Sequence, residues 1–142
     1  MSYINTRDAL ITQLLATPIT GVSADDIAFE NNKFDPANKS LWLSASFIPA
    51  SSLSTGKTLA SSDEQRGIFQ VSVFCPINNG SYDNLLLTAI DEILAGFRDT
   101  TSVSYLDQNV SILESTVTNG SESEAWFKRD ISINYLTFSK RV

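Results

Sequence analysis

No histidine occurs anywhere in this chain, and there is only one cysteine. The first absence removes the commonest general base, the usual activator of a nucleophile and the commonest metal ligand. The second rules out an internal disulfide, and Cys75 falls in an apolar strand series, where a thiol behaves as a small hydrophobe. Cations are also short. Lys and Arg total 10 against 16 Asp and Glu, a net charge of −6. A protein that grips nucleic acid by neutralising phosphates needs clustered Lys and Arg, so this balance argues against one. Nor is there an apolar run near the roughly 20 residues that span a bilayer. The N-terminus lacks the unbroken apolar core and small-residue cleavage site of a signal peptide. The expectation is a protein made and folded in a cytoplasm, with no membrane partner.

What is present is the making of one domain over residues 1–142. The stretch Gln65 to Gly80 organises the rest. Phe69, Val71, Val73 and Cys75 are apolar at a period of two, against Ile68, Gln70, Ser72 and Phe74, which predicts a strand with one face buried. Pro76 ends it and Asn78-Asn79-Gly80 supplies a turn. The spacing of Leu86, Ile90, Ile93, Leu94 and Phe97, with Leu87 and Ala89 beside them, then predicts an amphipathic helix from Ser81, as N-cap, to Arg98.

Towards the N-terminus, Asn5 is a candidate N-cap. Ile4, Ile11, Leu14 and Leu15, flanked by Leu10, give a helical stripe that Pro18 should stop near Thr17. A connector with a Thr20-Gly21 turn leads to a short strand at Ile27–Glu30. Asn31–Ser40 is a turn region, and Leu41–Ile48 a second clear strand, ended by Pro49. Ala50–Glu64, polar and rich in Ser and Thr, reads as a long hairpin loop, the segment best suited to order against a partner. The last third predicts β-structure. Val103–Leu106 is followed by a turn at Asp107-Gln108-Asn109. Val110–Val117 and Trp126–Phe138 are then joined by Asn119-Gly120-Ser121. In the final strand Phe127, Ile131, Ile133 and Tyr135 share a side. Lys128, Asp130, Ser132 and Asn134 share the other, a side that should be wet or face another chain. The fold class expected is α+β: a mixed, mostly antiparallel sheet with two helices on one face and a long hairpin loop.

Chemical motifs are few. Gly56-Lys57-Thr58 has the tail of a phosphate loop, but Ser51 stands where the motif needs glycine, and a hairpin loop is the wrong setting. Asp25, Asp26 and Glu30 lack the spacing of a calcium loop and read as solvated surface. Glu122 and Glu124 beside Lys128 and Arg129 read as charge pairs at a hairpin tip. Trp42 and Trp126 both open strands, where they either cover the sheet's rim or anchor a subunit contact. No cofactor or metal site is expected.

The segment order resembles a known family. A helix precedes Leu41-Trp42-Leu43-Ser44-Ala45-Ser46-Phe47-Ile48-Pro49. A polar loop then reaches Arg66-Gly67-Ile68-Phe69-Gln70-Val71-Ser72-Val73-Phe74-Cys75-Pro76, followed by a turn, an amphipathic helix and a closing hairpin with Trp126. This is similar to the tail terminator proteins of long-tailed, siphovirus-like bacteriophages over about Ile4 to Phe138. It departs from them at Ala50, where a glycine often follows the proline. The resemblance implies a structural virion protein, not an enzyme. Such a protein forms a hexameric ring at the head-proximal end of the tail, stops tube polymerisation and joins the neck. Its partners would be copies of itself, the tail tube protein and a neck or connector protein. DNA would pass through the lumen without specific binding, which an acidic chain favours. Candidates for these contacts are Trp42, Ser54, Gly56, Lys57, Arg66, Trp126, Lys128 and Arg129. The alternatives are another neck or tail-tube component or, in a different class, a small ligand-binding domain or a carboxylate-dependent enzyme.

Overall fold

Alternation of apolar and polar residues builds two long central strands, and everything else is laid against them. The computed structural model describes residues 2–37, 39–54, 56, 62–77, 80–98, 102–123 and 125–140. β3 (Ser62–Pro76) and β7 (Trp126–Lys140) pair antiparallel along their whole length, from Ser62 opposite Lys140 to Pro76 opposite Trp126. β2 (Trp42–Ser54) pairs antiparallel on the other side of β3, and β1 (Ile27–Phe29) runs parallel to β2 at the edge. Beyond β7 lie β5 (Gln108–Val117) and then β4 (Ser102–Tyr105), while the short β6 (Ser121–Ser123) pairs with the start of β7. The order is β1-β2-β3-β7-β5-β4, a mixed and mostly antiparallel sheet.

Two helices, α1 (Ser2–Ala16) and α2 (Asp83–Gly96), cover one face. Phe69, Val71, Val73, Ile131 and Ile133 meet Leu10, Leu14, Leu86, Ile90 and Ile93 there in one buried cluster. Each such aliphatic side chain removed from water contributes roughly 1.5–3 kcal/mol. The helix ends are tied by Gln13 Nε2, which donates to the Gly96 carbonyl at 2.9 Å, while at the end of α1 itself Thr17 Oγ1 donates to the Gln13 carbonyl at 2.7 Å. This is the expected α+β class with both helices on one side.

Several local expectations are corrected. α1 begins at Ser2, so Asn5 lies inside it rather than capping it. Its buried face runs through Thr6, Ala9, Leu10 and Leu14, whereas Ile4 and Leu15 are exposed. Counting large apolar residues misplaced the stripe because small Thr6 and Ala9, which such a count passes over, are both buried. α2 is preceded by a 3-10 turn over Gly80–Tyr82, and Tyr82, not Ser81, occupies the N-cap position. Leu87 points to solvent.

Pro49 does not end β2. β1 stops opposite Ala45, so among the described residues no strand flanks β2 on its outer side at Pro49, the missing N–H costs the ladder nothing, and a bulge follows between Pro49 and Ser51. Ser51 to Ser54 then pair with Arg66 to Asp63, so most of the expected long loop is strand. Lys57 and Thr58 lie outside the described residues. Near the C-terminus the tight turn is Leu106-Asp107. Gln108 belongs to β5 and is buried, its amide donating to Thr137 Oγ1 and, at 3.0 Å, to the Phe138 carbonyl. Ser121 likewise belongs to β6, not to a loop, and stands opposite Lys128 of β7.

Candidate assembly surfaces

With both helices on one side, the other face of the sheet carries no layer among the described residues, and its side chains can be read row by row across the strands. Trp42, Phe74 and Lys128 form one row, and Ser44, Ser72 and Asp130 the next. Ser46, Gln70 and Ser132 follow, then Ile48, Ile68 and Asn134. Beyond the bulge come Ser51, Arg66 and Leu136, and last Leu53, Glu64 and Phe138. The face is aromatic at one end, polar across the middle and apolar at the far end.

At the aromatic end Trp42 stacks on Phe74, ring centroids 3.9 Å apart and planes 4° from parallel, and meets Trp126 edge-on at 5.6 Å. Phe34 closes the group at 5.1 Å, and the Lys128 ammonium stands 5.9 Å above the Phe74 ring. Stacked and edge-on pairs of this kind add to the burial energy of the rings. Trp42 is thereby only 9% exposed, while Trp126 is half-buried. In the polar middle, Ser72 Oγ donates to Asp130 Oδ1 at 2.5 Å, and Lys128 Nζ lies 3.7 Å from the same oxygen.

At the far end Leu53 and Phe138 are 57% and 55% exposed on either side of Glu64, whose carboxylate takes Arg66 Nη2 at 3.3 Å. Bulges in β2, after Pro49, and in β5, after Ile112, fall at the same height, flanking Gly67 and Tyr135. Such paired irregularities bend a sheet. The bend encloses a depression of about 340 Å3 among Ala50, Arg66, Ile68, Leu113, Glu114 and Asn134. Exposed apolar side chains gathered on one sheet face make it a candidate assembly surface.

A larger cavity, about 520 Å3, lies elsewhere, between α1 and the β1–β2 edge. Ile11, Phe29, Ala45, Phe47 and Phe69 line it together with Arg7, Asp8, Glu30, Asn31 and Asn32. Glu30 accepts the Phe47 backbone N–H at 2.5 Å, standing in for a strand partner where β1 stops.

Displaced titrations have structural causes. The hydrogen bond from Lys39, at 2.8 Å, holds the Asp26 carboxyl below its ordinary value, helped by the Ser23 N–H. Burial pushes the Cys75 thiol up and carries the Tyr135 phenol to about 12. Asp26 and Glu30 are thus engaged separately, and no group of three or more metal-ligating side chains occurs among the described residues. No helix among them is long and apolar enough to cross a membrane.

A family model described as phage tail terminator protein matches residues 5–135. The chain belongs to that family. It is therefore a structural protein of the phage tail, located in the virion and in contact with tail-tube and head components. A solved structure, 26% identical and covering 96% of each chain, superposes with a TM-score of 0.75. No curated protein matches the sequence.

In this terminator-family fold the contact candidates read from the sequence are scattered. Trp42, Trp126 and Lys128 gather at the aromatic end. Arg66 stands at the apolar end, and Ser54 with Gly56 ends the β2 arm, Ser54 Oγ donating to the Gly56 carbonyl at 2.6 Å. Arg129 falls on the helix-side face, its Nη1 donating to the Thr118 carbonyl at 3.4 Å and its Nε buried. Sequence reasoning missed Ile48, Leu53, Leu113 and Phe138 as one surface, because a proline read as a stop hid the strand that carries Leu53. It also missed Leu106, read as a strand end when it is the first residue of a turn.

Proposed function

We propose that this protein assembles as a hexameric ring on the head-proximal end of the finished tail tube, stops further polymerisation there, and presents the surface to which the neck or connector joins. The family match over residues 5–135 carries the reading. The uncovered sheet face, with exposed Leu53 and Phe138 at one end and the half-buried Trp126 at the other, supports it. A domain with only two layers and apolar residues left on its free face is equipped for subunit contact. DNA passes through the lumen without being held, favoured by the net charge of −6, since acidic walls repel phosphate.

Electron microscopy of tails made with and without the protein tests this role. Tails of uniform length in its presence and of uncontrolled length in its absence are expected. In reconstituted polymerisation the protein should appear at one end of each tube. Incorporation along the tube would make it a tube component and overturn the reading.

A further inference from the structure

We infer that the β4–β5 hairpin tip at Leu106 is the protruding half of a head-to-tail contact between copies of this chain, and that the cleft between α1 and the β1–β2 edge of the next copy receives it. The choice of a second copy as occupant rests on the ring reading above.

Leu106 is 79% exposed and holds φ at +55°, a left-handed conformation that a branched aliphatic side chain adopts at a cost. Glycine or asparagine would make the same turn without strain, and a leucine in water adds nothing to this fold. Strain kept at an exposed position points to a use outside the monomer. Tyr105 beside it is also exposed, so the tip offers two apolar side chains together.

The receiving site follows from symmetry. A ring closes through two different patches, one on each side of the subunit. The tip belongs to β4, at one end of the strand order, and the cleft opens at β1, at the other. Its apolar lining of Ile11, Phe29, Phe47 and Phe69 and its volume of about 520 Å3 suit aliphatic and aromatic guests. Charge agrees as well. Asp107 follows Leu106 in the turn, and the exposed Arg7 stands at the cleft, where its ion-pair partner among the described residues is its neighbour Asp8. Strand addition at this edge is discouraged by the Glu30 carboxylate on the Phe47 N–H, by Pro49 and by the bulge after it. The edge therefore accepts side chains in its cleft rather than another strand on its backbone.

Two measurements on the full chain test the contact. Chains carrying Leu106→Cys are mixed with chains carrying Asn32→Cys under mild oxidation. Cys75 is buried, so the unsubstituted chain serves as a silent control. Covalent dimers are expected from the mixture and not from either chain alone. Dimers of Leu106→Cys with itself would mean a two-fold contact and overturn the inference, as would an absence of mixed dimers while rings form. Secondly, Leu106→Gly should raise the thermal midpoint by roughly 2–4 °C by relieving the turn. The same substitution should weaken self-association about tenfold. Unchanged association would refute the docking role. The two readings separate at the tube end. A Leu106→Gly protein that caps tubes as well as wild type, with no mixed dimers, removes this contact and leaves the terminator role standing. Mixed dimers from a protein that never caps tubes do the reverse.

Discussion

Gly67 and Tyr135 lie directly opposite each other in the β3–β7 ladder, and the tyrosine ring fills the space a side chain on Gly67 would need: an added Cβ would come within 2.5 Å of both Tyr135 Oη and the Ile48 carbonyl. Phe47 stacks on the same ring at 5.6 Å. Gly67→Ala is therefore expected to destabilise the fold by roughly 1–3 kcal/mol, through overpacking against backbone as well as ring. Tyr135→Ala in the same chain should recover only part of that, because the Ile48 carbonyl stays in place. Thermal unfolding of the single and double variants checks it, and strict additivity would show that the two residues are not coupled.

Tyr135 also predicts a pH dependence. Its hydroxyl is buried, finds no hydrogen-bond partner among the described residues, and titrates near 12 in the folded chain against 10.0 for a free phenol. A raised folded pKa gives stability that is complete below pH 10 and is lost as pH climbs towards 12. Tyr135→Phe should hold its midpoint across that interval while wild type falls. At pH 7 it should be neutral or stabilising by up to about 1–3 kcal/mol, the cost of an unsatisfied buried polar group.

The acid side rests on Asp26. Its carboxyl titrates below the ordinary 3.8 because Lys39 and Ser23 hold the charged form, so the stability it gives is present above that value and lost as pH falls through the lower folded pKa. Lys39→Ala should cost roughly 0.2–1 kcal/mol at neutral pH. It should also flatten the acid limb of a stability profile below about pH 4, near the ordinary carboxylate range. An acid limb identical to wild type would mean the pair contributes nothing.

On α2, adjacent positions separate burial from hydrophobicity. Leu86 and Ile90 are buried, and Leu86→Asp or Ile90→Asp places a charge in the helix–sheet interface, which should unfold the domain. Leu87 is 48% exposed, and Leu87→Asp should shift stability by no more than about 0.5 kcal/mol. Circular dichroism of the three variants decides whether the face is placed correctly.

The two tryptophans should part company in the same way. Trp42→Ala removes the middle ring of the aromatic stack and should cost roughly 3–5 kcal/mol of folding stability. Trp126→Ala, taken from a half-buried ring at the edge of that stack, should weaken assembly more than folding. Equal loss of both properties in Trp126→Ala would assign that residue to the core alone.

The sequence by itself determined the strands whose alternation is unbroken and the class of fold they make. Phe69, Val71, Val73 and Cys75, and likewise Ile131, Ile133 and Tyr135, could be assigned to a buried face because each residue's environment follows from its neighbour two places away. The absence of histidine likewise took imidazole chemistry away from the start. Local rules lost wherever a distant segment set the outcome. Pro49 ends no strand because β1 stops opposite Ala45 and does not reach as far along β2 as Pro49, and Gln108 leaves its turn because Thr137 and Phe138 supply hydrogen-bond partners 29 and 30 residues away. The buried stripe of α1 includes small Thr6 and Ala9, set by how the helix is docked and not by its own large apolar residues. The gathering of Leu53, Phe138 and Ile48 on one bare face depended on a bulge and a register that no window of sequence contains. Periodicity is a property of a segment, whereas a surface is a property of several segments held side by side, and only the tertiary structure brings them together.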